Sequence, residues 1–342
     1  MEENKMLKQK YVDIIICLFA VMVMPVYLYG TRVLILAAIS LTTALITDFI
    51  CIRISGKKTF VKYDYSWVVT AMVTVLLLPA TVPYWVIIVS NIVALAIAKH
   101  PFGGVSNNTF NPAAVGLAFV AICWPEHVLR YPLPSETLGI VDPALVQYSA
   151  SPASILRVGG TPKIEYFDVL LGKFAGPMGA TCMIVLIACL LYLAIRKTVS
   201  LRVVLSALFV VGIFAVFVPR VVTGRISSLV FEACSGALAF GLVFMSSDPS
   251  TMPKTNNGKI LYGTVLGSII MLFRYFGATE LEYVYAILLA NIFEIPCDRY
   301  AAFIQDKYTK LFHPAKSAQS DKKVVGKKSN LNIQVTDLQG KA

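Results

Sequence analysis

The residues best equipped for chemistry sit in "HPFGGVSNNTFNPAAVG", residues 100–116. Asn107, Asn108 and Asn111 carry amides that both donate and accept hydrogen bonds, and Gly103 and Gly104 let the backbone turn tightly. Pro112 suits the first turn of a helix, leaving that helix's free N–H groups near whatever the asparagines surround. The spacing admits two readings: contact with a polar ligand, or N-capping by Asn111 with the other amides solvated. A second pair of stretches, "PATVP" (79–83) and "PSTMP" (249–253), shares the pattern P-x-T-x-P at a separation of 170 residues. Each reads either as a helix-ending turn or as a loop at membrane depth. In the second case its freed amides face a ligand, because unsatisfied backbone is costly in hydrocarbon.

The elements that position these residues follow from composition. The 342-residue chain is 57% hydrophobic and 14% charged, well under the charge of an ordinary soluble domain. Apolar runs long enough to cross roughly 30 Å of hydrocarbon recur along it. Ten candidate spans lie at about 11–30, 33–52, 65–80, 83–98, 110–125, 176–195, 201–219, 226–245, 259–276 and 282–297. The first lacks a small-residue cleavage pattern after "MPVYLYG" and is read as an uncleaved helix. The fold class is an all-α polytopic membrane protein of about ten helices.

Placing the N-terminus in the cytoplasm puts 22 of the 30 lysines and arginines on the inner side and seven on the outer. The positive-inside rule favours that orientation, and ten spans return the C-terminus to the same face of a bacterial plasma membrane. The formal charge of +11 then needs no nucleic acid: the basic segment 307–330 reads as a disordered cytoplasmic end near anionic lipid. Seven scattered cysteines and three distant histidines form no metal motif, so no metal site and no catalytic residue are assigned.

The two P-x-T-x-P loops fall at the same place in two five-span halves. Five is odd, so the second half would be inverted relative to the first, the arrangement in which broken helices of both halves build a shared site. The organisation is a first half (1–125), a long outer loop (126–175), a second half (176–305) and a tail (306–342). Asp48, Glu232 and Glu294 are intramembrane acids near span ends, read as interfacial groups that water reaches.

"FGGVSNNTFNPAAVG", "MSSDPSTMPKT" (245–255) and "YAILLANIFEIPCDRY" (285–300) together resemble the RnfD/NqrB membrane subunits. Those subunits belong to the Rnf ferredoxin:NAD oxidoreductase and the sodium-translocating NADH:quinone reductase. The resemblance covers about 30–305 and is closer to RnfD in its short tails. It implies a flavin-carrying subunit that passes electrons across the membrane, coupled to Na+ or H+ movement. It implies FMN attached through its phosphate to a hydroxyl in the outer loop, at a position falling on Ser151 before Pro152; a plain loop serine is the alternative, and Thr161 in "VGGTP" is the rival hydroxyl. The sequence departs from the family pattern at Tyr148, where a serine usually leads, at Leu145, where an aspartate often precedes, and at Ala180, where a glutamate is common.

A noncovalent riboflavin at the inner face is implied as well, contacted by Asn107, Asn108 and Asn111, with Asp248 and Thr251 opposite. The implied partners are RnfA-, RnfB-, RnfC-, RnfE- and RnfG-like subunits, a flavin transferase and membrane lipid. The competing reading is a channel or transporter for a small polar solute, because inverted five-span halves also resemble the urea-channel architecture.

Overall fold

The computed structural model describes residues 2–55, 64–104, 108–134, 138–140, 146–220, 224–246, 248, 251–277 and 281–312. Asn107, Leu145, Pro249 and most of the tail lie outside the described residues. The first half contains α1 (Glu2–Tyr29), α2 (Arg32–Ile54), α3 (Ser66–Leu76), α4 (Tyr84–Ile92, continued as a π-helix Val93–Lys99) and α5 (Pro112–Cys123). Short elements follow: α6 (Pro125–Val128), α7 (Pro152–Arg157) and α8 (Tyr166–Leu171), with β1 (Tyr131–Pro132) antiparallel to β2 (Tyr148–Ser149). The remainder is α9 (Met183–Ile195), α10 (Leu201–Phe217), α11 (Arg225–Cys234), α12 (Leu238–Phe244), α13 (Asn256–Phe276), α14 (Glu282–Ile292) and α15 (Glu294–Phe312).

Each apolar run of the sequence holds a helix, but length separates them. Met6–Tyr29, Arg32–Ile54 and Asn256–Phe276 are long and apolar enough to cross a membrane alone. α11 and α12 qualify together, bent by 52° at the break between them. The others are shorter than their runs: 176–182 is irregular backbone ahead of α9, and the last run ends at Ile292. α15 starts afresh at Glu294 and runs to Phe312, past residue 305. α2 packs on α3 and α4, α10 packs on α11 and α13, α1 meets α9, and α5 meets α14.

The closest of these packings is built on glycine. Gly263 and Gly267 lie one turn apart on α13, and a Cβ at Gly263 would come within 2.5 Å of Val203 O on α10. At Gly267 it would come within 2.7 Å of Ala207 O. Such small-residue seams let backbones touch where lipid gives no hydrophobic drive for helices to associate.

Three interruptions of the helices are each held by an ion. Between α3 and α4 the "PATVP" backbone turns its carbonyls to Arg32, whose guanidinium is 1% exposed. Its Nε donates to Ala80 O (2.9 Å) and its NH2 to Val82 O (3.1 Å), while NH1 donates to Gly139 O and Ile140 O (3.1 and 2.8 Å). At the α11–α12 break, Arg274 donates to Ser235 O (2.7 Å) and to the carbonyl of Glu232. It also pairs with Glu232 and Glu282, each at 2.8 Å, and Arg220 closes the cluster on Glu232 at 2.6 Å. After α12, Asp298 of α15 accepts from the amides of Lys254 (2.8 Å) and Thr255 (3.0 Å) and from the Thr255 hydroxyl.

Two sequence expectations change here. The freed groups of the first P-x-T-x-P loop are carbonyls facing a guanidinium, not amides facing a ligand. Asp48 and Glu232 are fully buried in ion pairs rather than interfacial, because a carboxylate inside the bundle needs a cation next to it. Gly263→Ala is expected to lower stability by about 1–3 kcal/mol through overpacking, despite alanine's better helix propensity. Thermal unfolding in detergent reads this, and an unchanged midpoint would mean that α10 and α13 do not touch as described.

Candidate functional site

Where α1, α3, α5 and the end of α12 converge, a narrow cleft opens. It is lined by Tyr11, Ser66, Thr70, Asn108, Asn111, Phe244 and Asp248, among others. The sequence forms it for local reasons. Asn111 adopts extended backbone and caps α5, its Oδ1 accepting from Ala114 N at 3.2 Å, with Pro112 in the first turn. The Asn111 N–H in turn donates to Asn291 Oδ1 of α14 (2.9 Å), in the amide orientation that also satisfies Tyr262 and Ile287. A hydrogen bond thus ties the head of α5 to α14.

Of the residues singled out from sequence, Asn108, Asn111 and Asp248 line this one cleft. Thr251 is buried beside it, and its N–H donates to Asp248 O at 3.2 Å, but it is not on the wall. Asn111 therefore caps its helix and also lines the cleft. Asn108 is 6% exposed, and its Oδ1 is buried with no hydrogen-bond partner among the described residues. An orphaned buried acceptor costs about 1–3 kcal/mol, which a ligand donor in the cleft would recover. Amides, hydroxyls and one carboxylate meet there beside the rings of Tyr11 and Phe244.

In the outer-loop segment, Ser151 is 4% exposed and N-caps α7, its Oγ accepting from Ser154 N at 3.1 Å. Thr161 is exposed and lines an open pocket with Tyr166, Phe167, Ser227 and Phe231. Ala180 is buried next to Gly179, whose N–H donates to Leu76 O of α3 at 2.6 Å. The family glutamate position is thus occupied here by a small residue inside the bundle.

Sequence reasoning missed Tyr11, Ser66 and Thr70, which sit in apolar helices whose turns into the cleft only the packing reveals. It also missed the buried cluster beside Ser66. There Lys99 bridges Asp48 and Asp64 at 2.9 Å each, and His100 meets Asp48 at 2.8 Å. The adjacent Lys99–His100 pair was the one signal available.

Nearly all-helical architecture with several long apolar helices defines the class: a multi-pass helical membrane protein. Residues 1–304 match the NQR2, RnfD, RnfE family, and the chain belongs to that family. It is 26% identical to the RnfD subunit of the ion-translocating oxidoreductase complex of Haemophilus ducreyi, covering 82% of this chain and 88% of that protein. It is 28% identical to the RnfD subunit of the Na(+)-translocating ferredoxin:NAD(+) oxidoreductase complex of Acetobacterium woodii (82% and 84%). Identity to the RnfD subunit of Actinobacillus succinogenes is also 28% (80% and 86%).

Asp298 lends the turn ahead of α13 a pH dependence. Burial pushes its carboxyl up, but hydrogen bonds from Thr255 and from the Lys254 and Thr255 amides outweigh this and hold it below the usual aspartate value. A lowered folded value means stability present above about 3.9 and lost as pH falls through that folded value. Asp298→Asn is expected to flatten the acid limb of a detergent unfolding curve. Equal acid slopes in both proteins would show that the ionised carboxylate contributes nothing to holding the loop.

Proposed function

We propose that this chain is a flavin-carrying membrane subunit of an Rnf-type ferredoxin:NAD+ oxidoreductase complex, passing electrons across the membrane coupled to Na+ or H+ translocation. The observation that carries the flavin reading is the buried, unpartnered Asn108 Oδ1 in a cleft shared with Asn111 and Asp248. Family membership and the names of the RnfD relatives support the complex.

Asn108 and Asn111 would hold the ring edge of a riboflavin, with Asp248 opposite and Tyr11 and Phe244 excluding water from its faces. The flavin supplies one- and two-electron chemistry; the chain's task is to orient it and tune its potential. The meeting of α1 with α9 and of α5 with α14 supports two inverted halves of ten spans in all, with this cleft between them. Both termini then lie in the cytoplasm, as the lysine and arginine distribution favours. The partners are RnfA-, RnfB-, RnfC-, RnfE- and RnfG-like subunits.

For FMN, Ser151 remains the proposed attachment by resemblance. Its buried hydroxyl requires that modification precede folding of the outer loop, or that α7 open to a flavin transferase. The solute-channel alternative has no observation favouring it over the flavin reading.

The deciding experiment purifies the chain after co-expression with a flavin transferase and measures flavin absorbance before and after acid precipitation. Flavin in the supernatant, reduced at least about tenfold in affinity by Asn108→Leu, is the expected result for the cleft, since an unmade buried hydrogen bond is worth about 1.4 kcal/mol or more. Flavin in the pellet that Ser151→Ala abolishes would establish the covalent carrier. Folded protein with no flavin in either fraction would overturn the proposal.

A further inference from the structure

One buried cluster is left unexplained by the fold and by the cleft. Lys99, at the end of the π-helical stretch, is 1% exposed and donates to Asp48 Oδ1 of α2 and to Asp64 Oδ2 ahead of α3. His100 Nε2 meets the same Asp48 Oδ1 at 2.8 Å. Asp64 turns its other oxygen the opposite way, accepting from Ser66 Oγ at 2.6 Å and from Ser66 N at 2.9 Å. Ser66 lines the cleft. His100 is 14% exposed, while Asp48 and Lys99 are 1% exposed.

The groups thus form an unbroken hydrogen-bonded chain from a partly exposed imidazole to the wall of the cleft: His100, Asp48, Lys99, Asp64, Ser66. Every link is 2.9 Å or shorter. We infer that this chain is a proton relay delivering protons from His100 to a group bound in the cleft. The inference rests on the reading of the cleft as a redox site, where negative charge arriving on the occupant calls for a proton.

The charge count supports it. Two carboxylates against one ammonium leave the cluster one positive charge short, and the His100 imidazole stands against the Asp48 carboxylate. Asp48 Oδ2 is also buried, with no partner among the described residues, and is an oxygen that could take a proton. Imidazole has two ring nitrogens, so it can take a proton on one and hand another on from the other. Other groups face the relay from every packed element. Lys8 and Tyr11 of α1 lie close, Lys8 over the Tyr65 ring and Tyr11 within electrostatic reach of Asp64 and Asp248. Cys51 of α2 is within reach of Asp48 and Lys99.

The transfer conserves protons and moves no electrons. One proton enters on His100 as its Nε2–H proton passes to Asp48. Lys99 gives a proton to Asp64 Oδ2 and is refilled from Asp48. The Asp64 carboxyl then turns about its Cβ–Cγ bond and gives that proton to Ser66 Oγ as the Ser66 hydroxyl proton passes into the cleft. One proton has crossed, and the relay resets when the carboxyl and the hydroxyl turn back and the imidazole regains its Nε2 proton.

The test uses the full chain in detergent with added riboflavin as the probe, reduced in a stopped-flow instrument with a pH indicator. Flavin bleaching and proton uptake are read separately. His100→Gly is expected to slow proton uptake by about 10²-fold, the scale of a lost general acid–base group, with riboflavin still bound, and Ser66→Ala to slow uptake as much per riboflavin bound. Added imidazole is expected to restore the rate in His100→Gly and not in Ser66→Ala.

Uptake at the wild-type rate in both variants would overturn the relay, showing that the cleft takes protons directly from water. Slow uptake in His100→Gly that imidazole does not restore would also overturn it, leaving His100 as a packing residue. If the wild-type chain binds no riboflavin, the flavin reading fails, and the relay is judged alone by infrared carboxyl bands after a downward pH jump. Band growth slowed in His100→Gly and restored by imidazole would then sustain it; identical kinetics in both proteins would end it.

Discussion

Every interruption of a helix inside this bundle depends on one constraint: backbone groups freed from a helix need partners, and hydrocarbon offers none. At three breaks the chain meets it with ions: two buried guanidiniums and a half-buried carboxylate. Arg32 spreads its fork over the carbonyls of Ala80, Val82, Gly139 and Ile140. Arg274 takes the carbonyls of Glu232 and Ser235 at the α11–α12 break. Asp298 takes the amides that start α13. Burying a guanidinium costs several kcal/mol, and hydrogen bonds to charged groups return about 1.5–3 kcal/mol each, so only a fully engaged fork comes out ahead. Guanidinium, with five planar donors, suits carbonyl-rich turns; a carboxylate suits an amide-rich one.

The same constraint explains where the cleft lies. Short helices that stop inside the bundle leave room that long ones would fill, and α3, α5 and α12 all end or begin at this point. Its walls come from distant parts of the sequence. Asn111 joins them physically, capping α5 through its side chain while its backbone N–H reaches Asn291 of α14. Asn108, three residues earlier, keeps an acceptor with no partner among the described residues.

Membership of the NQR2, RnfD, RnfE family says which architecture to expect, but the site has to carry the function. Here the two proposed flavin positions differ in kind. The cleft presents polar groups to an open space. Ser151, by contrast, is buried and occupied with capping α7.

The sequence by itself determined the solvent. Its apolar runs and low charge made this a helical membrane protein, and Asn111 with Pro112 marked the start of α5. Those features are local: a run of side chains chooses hydrocarbon, and a cap residue chooses its own helix end, whatever lies elsewhere. Tertiary structure alone decided what the breaks bind and what faces the cleft. Nothing near Arg32 in sequence foretells Ala80 or Ile140, and Glu232 looked interfacial until Arg274 and Arg220 were seen against it. Asp64, Lys99 and Asp48 lie on separate elements, and a buried charge is tolerable only through partners that packing supplies. Tyr11 and Ser66 belong to the site for the same reason, since an apolar helix buried on several sides has no periodicity to say which residue meets a cavity.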